Sequence, residues 1–553
     1  MEGERYCIGI DYGTLSARAV VVDVRNGSVS ASAVYPYPHG VMDACLPDGT
    51  ALKPGWALQH PKDYKDALKA VIPEAVREAR IDPGKVIGIG VDCTSSTVFP
   101  ADMNGEPLCF KPEYEHRPQA YMKLWKHHGA QAQADRMTEL AVERGEAWLE
   151  RYGGRINSEL ALPKLLETLE EDPELYSDIY EWTEAVDYLT FCLTGVRMRS
   201  ESCAAYKSLY VRGKGYPSED YFGGLDPRFK HVIRDKYRTP PAPIGGKAGT
   251  LSAEMASELG LRPGIAVGVG TIDAHTSAPA AGMSKPGQLL LVFGTSIGHH
   301  LLSDRLADSL TGMFGVVEGG MIPGCYDYEC GQTAVGDMFD WFCRRCVPGQ
   351  YERQAEQAGM GIQPYLTFLA EKLYPGESGL VALDWWNGNR SILSDSGLTG
   401  LILGLTLRTR PEEIYLALLE ATAYGTRVIT DQYEKLGLPI TECFASGGIS
   451  RKNALAMQIY ADVLNRPVAV IGTDQASAVG AAIFAAAAAG EEAGGYGNVH
   501  EAAEAMKQPP SCVYQPKPDR VKAYDKLYAE YHALYDWFGR GGNDVMHRLG
   551  SGA

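Results

Sequence analysis

CIGIDYGTLSARAVVVD, running from Cys7 to Asp23, decides how this chain is read. Two apolar runs flank a turn that contains glycine and small hydroxyl residues, Thr14 and Ser16, so the segment reads as two β-strands joined tightly. A turn of the pattern Asp-Tyr-Gly-Thr-x-Ser has the parts to wrap a phosphate. Gly13 allows a positive φ and close approach, and successive N–H groups converge on an anion. Asp11 closes the buried run IGID, where a carboxylate is costly unless it is paired, hydrogen-bonded or turned to a metal. Beside a phosphate loop it points to Mg²⁺, held through water where needed. The plainer reading is an Asx-type turn residue.

The same unit recurs. GQLLLVFGTSIGHHLLSD, beginning at Gly287, again sets a Gly-Thr-Ser turn between apolar strands, with Gly294 answering Gly13. The recurrence reads as a structural duplication. Two such turns facing across a cleft would hold the β- and γ-phosphates from each side. No G-x-x-x-x-G-K-[ST] or G-x-G-x-x-G segment occurs, so P-loop and dinucleotide-fold assignments lose their main support.

The rest of the chain alternates strands and helices: VIGIGVD at Val86, a helix over EWTEAVDYLTFCLTG at Glu181, and the strand GIAVGVG at Gly264. That order predicts a mostly parallel sheet covered by helices, an α/β fold. A length of 553 residues exceeds what one core supports, so two large domains are expected. GMSKPGQ, from Gly282 to Gln288, is the natural boundary and gives domains of 1–283 and 284–553. Long helices follow at PEEIYLALLEATAYGTRVITDQYEKLG from Pro411 and RKNALAMQIYADVLNRP from Arg451. Near the end, Tyr524, Leu527, Tyr528, Tyr531, Tyr535 and Phe538 share one helical face that docks on the body. AVGAAIFAAAAAG from Ala478 is shorter than the ~20 apolar residues of a membrane span and reads as a buried helix.

A formal charge of −17 and a pI near 5.3 repel nucleic acid and anionic lipid, which are bound through clustered Lys and Arg. An anion such as ATP must then be gripped locally, by N–H groups and Mg²⁺. The N-terminal sequence enters a strand pattern without the marks of a secretory signal, so a cytoplasmic location is expected. Twelve cysteines scattered among apolar runs fit reduced thiols. Cys325, Cys330, Cys343 and Cys346 loosely resemble a zinc spacing. Val335, Met338, Phe339 and Phe342 instead make a helical stripe that Cys343 and Cys346 continue, and core packing is the reading taken.

Two more elements carry chemistry. In GVGTIDAHTSAPAAG, Asp273 ends a small-residue strand and opens a helix: it is either an N-cap or a carboxylate aimed where such sheets place ligands. Phosphorylating an alcohol needs an acceptor for the hydroxyl proton, in-line positioning and charge stabilisation. In SGGISRKNALAMQIYADVLNRPV, from Ser446, Gly447 and Gly448 let a flat nucleotide ring approach, or they are a tight strand-to-helix connection.

In this order the elements resemble the FGGY family of carbohydrate kinases, over nearly the whole chain. INSELALPKLLE, with Lys164, is similar to the family's first signature, and GLILGLTLRTRPEEIYLALLEA to its second, departing only at Leu418. ECGQTAVGDMFDWF at Glu329, LDWWNGNRS at Leu383, ESCAAYKSLY at Glu201 and LNRPV at Leu464 resemble the members that act on L-ribulose. The resemblance implies two actin/hexokinase/Hsp70-like (ribonuclease H-like) domains with a cleft between them, the N-terminal one for sugar and base, the C-terminal one for nucleotide. It implies MgATP as phosphoryl donor and the terminal hydroxyl of L-ribulose as acceptor, with xylulose the nearest alternative and a non-catalytic actin-like ATP sensor the distant one. By the same resemblance Asp273 is the base; Asp11 and Asp273 attend the metal; Gly13, Thr14, Ser16, Arg18, Gly294, Thr295 and Ser296 contact phosphate. Gly336, Gly447, Gly448 and Asn453 line the nucleotide, and Ser95, Ser96, Lys207 and Glu329 meet sugar hydroxyls. Without the resemblance, Lys207 is a solvated lysine and Glu329 a loop acid. The Arg-Glu of glycerol kinases is replaced by Thr94 and Ser95, which disfavours glycerol. Oligomeric state, a homo-oligomer included, is left open.

Overall fold

Tyr6–Tyr12 and Ser16–Asp23 pair antiparallel, which sets Asp11 opposite Arg18. Val86–Cys93 lies parallel on the other side of Tyr6–Tyr12, which sets Asp11 beside Asp92. In the computed structural model, which describes residues 3–550, this sheet runs in the order Lys247–Thr250, Ala266–Gly268, Val86–Cys93, Tyr6–Tyr12, Ser16–Asp23, Val29–Pro36. The short strand Thr271–Ile272 adds to Val86–Cys93. The sheet is mixed rather than mostly parallel, because the tight turn after Tyr12 sends the chain straight back and Val29–Pro36 continues the meander.

The chain forms two α/β units. One comprises the residues up to Ser284 with Val316–Asp327 and Gln475–Gln508; the other comprises Lys285–Gly315, Tyr328–Asp474 and the residues from Pro509 onward. The Ala-rich helix, Ala476–Ala489, thus belongs to the first unit and is buried along most of its length. It lies directly on the sheet. A Cβ at Gly9 would stand 1.7 Å from the Ala478 carbonyl oxygen, and one at Gly90 2.0 Å from that of Ala481. The alternation of glycine with branched residues in CIGID and VIGIGVD is therefore a seat for this helix, whose methyl side chains keep the approach close.

Two expected helices differ. Glu181–Glu184 is a strand paired with Val98–Ala101, and the helix starts only at Ala185; edge pairing and the burial of Trp182 override the helical propensity of the glutamates. The helix expected from Arg451 breaks at Asn453, whose side chain caps Ala454–Leu464 by accepting from the Ala456 N–H at 2.9 Å.

In the second unit Gln288–Phe293 and Ile297–Ser303 repeat the hairpin, with Glu442–Gly447 parallel beside it, then Val468–Val470 and Cys512–Tyr514. The long helix Pro411–Lys435 forms as expected. The tyrosine face of Pro518–Gly539 packs on it: Tyr424 meets Tyr531 at 5.3 Å and Tyr524 at 6.2 Å between ring centres. Tyr531 donates to Asp384 at 2.7 Å, which also accepts from Gln332 at 2.7 Å. Cys343 is buried on Gly336–Arg345, whereas Cys346, just past the last turn, is exposed and leaves the stripe. Among the described residues no helix is long and apolar enough to cross a membrane.

Candidate active site

Three carboxylates of the first unit gather at the carboxyl ends of neighbouring strands. Asp11 and Asp92 are register partners. Thr271–Ile272 pairs with Asp92–Cys93, and the next residue, Asp273, opens the helix Asp273–Ala280. The N-cap reading of Asp273 is not realised: the cap position is Ile272, and the Asp273 carboxylate accepts from the Ala274 N–H at 2.7 Å. That helix is held down by Gly480, where a Cβ would stand 1.7 Å from the Thr276 carbonyl oxygen.

Burial pushes the Asp273 carboxyl up to about 7, with Asp11 adding to the rise, while the Ala274 N–H and the Lys207 ammonium pull it back. Burial raises Asp11 too, eased by the close approach of Asp92 and by the charge of Arg18. Asp92 is fully buried and is pushed furthest, by burial and then by Asp11 and Asp273. Neither of its oxygens accepts a hydrogen bond; the nearby Thr276 hydroxyl spends its proton on the Asp273 carbonyl at 2.6 Å. Oxygen donors with nothing to receive suit a hard divalent cation, so the residues fit Mg²⁺. Among the described residues the three carboxylates are not drawn together within 4.8 Å as a set. A cation with such partners keeps much of its water, as Mg²⁺ does.

At the turn, the Gly13 N–H donates to the Ser16 carbonyl at 3.0 Å. The positive φ expected of Gly13 is absent, and an added Cβ would make only ordinary contact, 3.4 Å from the Ser16 oxygen. Thr14 is anchored twice, its carbonyl by Gln59 at 2.7 Å and its hydroxyl by the Trp125 indole at 3.3 Å. Ser16 and Arg18 are half-buried, and the Arg18 Nε has no partner.

Lys207 ends the helix Glu201–Lys207 and is buried, so it is no solvated lysine. Its charge acts on Asp273 and on Glu184. Ser95 is half-buried and Ser96 fully buried. Ser96 has φ +51°, and its carbonyl accepts from the buried Lys164 ammonium at 2.7 Å, which also donates to the Leu124 carbonyl at 2.9 Å. Burial drives Lys164 down to about 7 and Glu184 up to about 8.

In the second unit the Gly294 N–H donates to the Ser296 carbonyl at 2.8 Å. The helix Gly336–Arg345 begins on that turn: the N–H of Val335 donates to the Thr295 carbonyl at 2.8 Å and that of Gly336 to the Gly294 carbonyl at 3.2 Å. A Cβ at Gly336 would lie 2.6 Å from the Gly294 oxygen. A helix N-terminus so placed brings positive charge density to an anion. The two neighbouring glycines differ. Gly447 has φ +94°, and a Cβ there would reach 2.0 Å from the Phe293 carbonyl oxygen, whereas Gly448 faces open space. Asn453 is buried and occupied, capping its helix and donating to the Tyr415 hydroxyl at 3.2 Å. Glu329 is half-buried on the strand Tyr326–Gln332.

The structure thus groups Asp11, Arg18, Lys207 and Asp273 in the first unit, and Gly294, Thr295, Gly336 and Gly447 in the second. It adds Asp92, Lys164 and Glu184 as buried polar groups of the first site. Of these, Asp92 has a signal in the sequence, since VIGIGVD ends in an acid just as CIGID does.

The model of the FGGY family of carbohydrate kinases, N-terminal domain, matches residues 6–215, and that of its C-terminal domain matches residues 289–489. The chain is 49% identical over 548 residues to a protein of Geobacillus thermodenitrificans named ribulokinase, covering 99% of this chain and 97% of that one. It is 46% identical over 547 residues to a ribulokinase of Mycolicibacterium smegmatis, covering 99% and 96%. Among solved structures, a xylulose kinase from Rhodospirillum rubrum superposes with a TM-score of 0.80 at 27% identity, covering 99% and 100%. Plasmodium falciparum glycerol kinase with ADP shares the fold, with a TM-score of 0.75 at 16% identity, covering 96% and 98%. With both family domains matched in order over most of its length, the chain belongs to the FGGY family of carbohydrate kinases.

Proposed function

We propose that the chain transfers the γ-phosphoryl group of ATP to the terminal hydroxyl of L-ribulose, as a cytoplasmic enzyme working on free sugar. The observation that carries the sugar assignment is the likeness to ribulokinases along nearly the full length of both chains. In this reading residues 1–283 supply sugar binding and the base, and 284–553 hold the nucleotide. Asp273 takes the proton of the attacking hydroxyl; its carboxylate is anchored by the Ala274 N–H on one oxygen, so the group is held while the other oxygen faces the acceptor. Lys207, Ser95, Ser96 and Glu329 pair with sugar hydroxyls, each of which would otherwise cost ~1–3 kcal/mol on burial. The turns at Gly13–Ser16 and Gly294–Ser296, with Arg18, carry the phosphates, and Gly336, Gly447, Gly448 and Asn453 border the nucleotide.

Asp11 and Asp273 would hold Mg²⁺, which when bound neutralises charge on the phosphates. Lys164 fixes the turn that presents Ser95 by tying down the Ser96 carbonyl.

The test is a coupled ADP-release assay across the ketopentoses and their epimers. L-Ribulose is expected to give the highest kcat/KM. A higher value for xylulose would move the assignment to that sugar, and ATP turnover indifferent to any sugar would remove the kinase reading.

A further inference from the structure

Asp92 is an acid of the first unit that the reading above does not use. It is fully buried on the central strand Val86–Cys93, flanked in register by Asp11 on one side and Thr271 on the other. Its two oxygens accept no hydrogen bond, and Asp11 is its register partner on the neighbouring strand. Buried carboxylates are ordinarily supplied with donors, and one without them costs several kcal/mol unless a cation compensates. Two carboxylates here face one guanidinium, that of Arg18, across the hairpin from Asp11. With no donor supplied by the chain, these bare oxygens are suited to a water held by a hard cation.

We propose that Asp92 is a further acidic residue of the metal site, holding a water of the nucleotide-bound divalent cation beside Asp11. The spacing fits this role: the carboxylates are too spread to chelate an ion as a compact trio, and Mg²⁺ keeps several waters that need acceptors behind them. It also separates the duties of the three acids. Asp273 already receives the Ala274 N–H and takes the substrate proton beside the ion that it borders with Asp11, while Asp92 acts on the ion only through a water. The inference rests on the nucleotide-kinase reading and is independent of which sugar is used.

The experiment measures Mn²⁺ uptake, as a spectroscopic stand-in for Mg²⁺, by the full chain with ADP, through the loss of the free-ion electron paramagnetic signal. Asp92→Asn preserves size and removes the charge. It is expected to weaken Mn²⁺ about 10- to 100-fold, the usual consequence of losing a partner behind the first ligand shell, while metal-free ADP binding and melting temperature are kept. Equal Mn²⁺ affinity in folded wild type and variant would overturn the assignment of Asp92 alone. A wild type that takes up no Mn²⁺ with ADP would overturn the nucleotide reading and this inference with it. Should Asn fold poorly, Asp92→Ser, smaller than the native residue and free of clashes, carries the same comparison.

Discussion

The two hairpins share one backbone and differ in what that backbone presents. In both, a glycine N–H closes the turn onto a serine carbonyl, at 3.0 Å from Gly13 and 2.8 Å from Gly294, and in both a parallel strand lies alongside. At the position two before the glycine the first has Asp11, with Arg18 across and Asp92 beside it. The second has Val292, with Gly298 across and Ser446 beside it. One copy of the scaffold is loaded with charge; the other offers N–H groups, hydroxyls and the start of the helix Gly336–Arg345. On the proposed function, both turns meet phosphate, and the duplicated fold adds metal and proton chemistry to one copy without altering its strands.

The largest effect should come from breaking the charged side. Asp273→Asn keeps shape and polarity but removes the proton acceptor, and kcat is expected to fall by about 10²- to 10⁴-fold. Circular dichroism and calorimetric ATP binding should stay near wild type, because the neutral hairpin is untouched. A variant that turns over normally would return Asp273 to a purely structural role at the head of its helix.

Within the neutral side, Gly447 and Gly448 sharpen the comparison further. Alanine at 447 must adopt φ +94° and place its Cβ 2.0 Å from the Phe293 carbonyl, so a loss of about 1–3 kcal/mol in stability is expected. Alanine at 448 meets nothing within 4 Å and should leave the melting temperature unchanged. If the nucleotide passes over Gly448, the added methyl group should raise KM for ATP about ten-fold, equivalent to ~1.4 kcal/mol of lost contact. Unchanged KM and unchanged stability together would remove Gly448 from the nucleotide site.

How much of this was legible in the sequence follows from the distance over which each feature is decided. The hairpins, the buried Ala-rich helix and the tyrosine face of Pro518–Gly539 are written in local periodicity and were readable. A glycine in a turn suggests a left-handed residue, yet the φ of Gly13 is ordinary; the need for glycine is set by neighbours, as Phe293 sets it at Gly447. Lys164 holds the Ser96 carbonyl across 68 positions of chain, a pairing no local pattern announces. Asp92 closes VIGIGVD as Asp11 closes IGID, and the register of the two strands is what joins them into one set. Glu181–Glu184 became a strand through a partner far off in sequence.

The smallest expected effect concerns an acid that the second unit does bury. Glu420, on Pro411–Lys435, is 2% exposed, and one carboxylate oxygen has no partner. Burial raises its carboxyl from 4.5 to about 8, with Tyr524 and Arg520 only partly opposing. The folded state therefore keeps a proton that the unfolded chain gives up, so between about 4.5 and 8 the folded state binds more protons and stability falls as pH rises. Glu420→Gln mimics the neutral form at every pH. Below 4.5 the two proteins should melt together; the variant should gain on the wild type through the interval and hold a constant advantage above 8. The plateau is expected at ~1–3 kcal/mol, less than the full linkage value because buried sites relax and admit water. Turnover at saturating substrates should be unaffected, which separates Glu420 from Asp273 by function although both are raised carboxyls. The measurement is melting temperature of both proteins from pH 4 to 9 alongside kcat. A pH-independent gap would mean that Glu420 is ionised in the fold. A loss of kcat in a stabilised variant would mean that the second unit, too, uses an acid in the reaction, and the contrast between the two hairpins would no longer divide the chemistry.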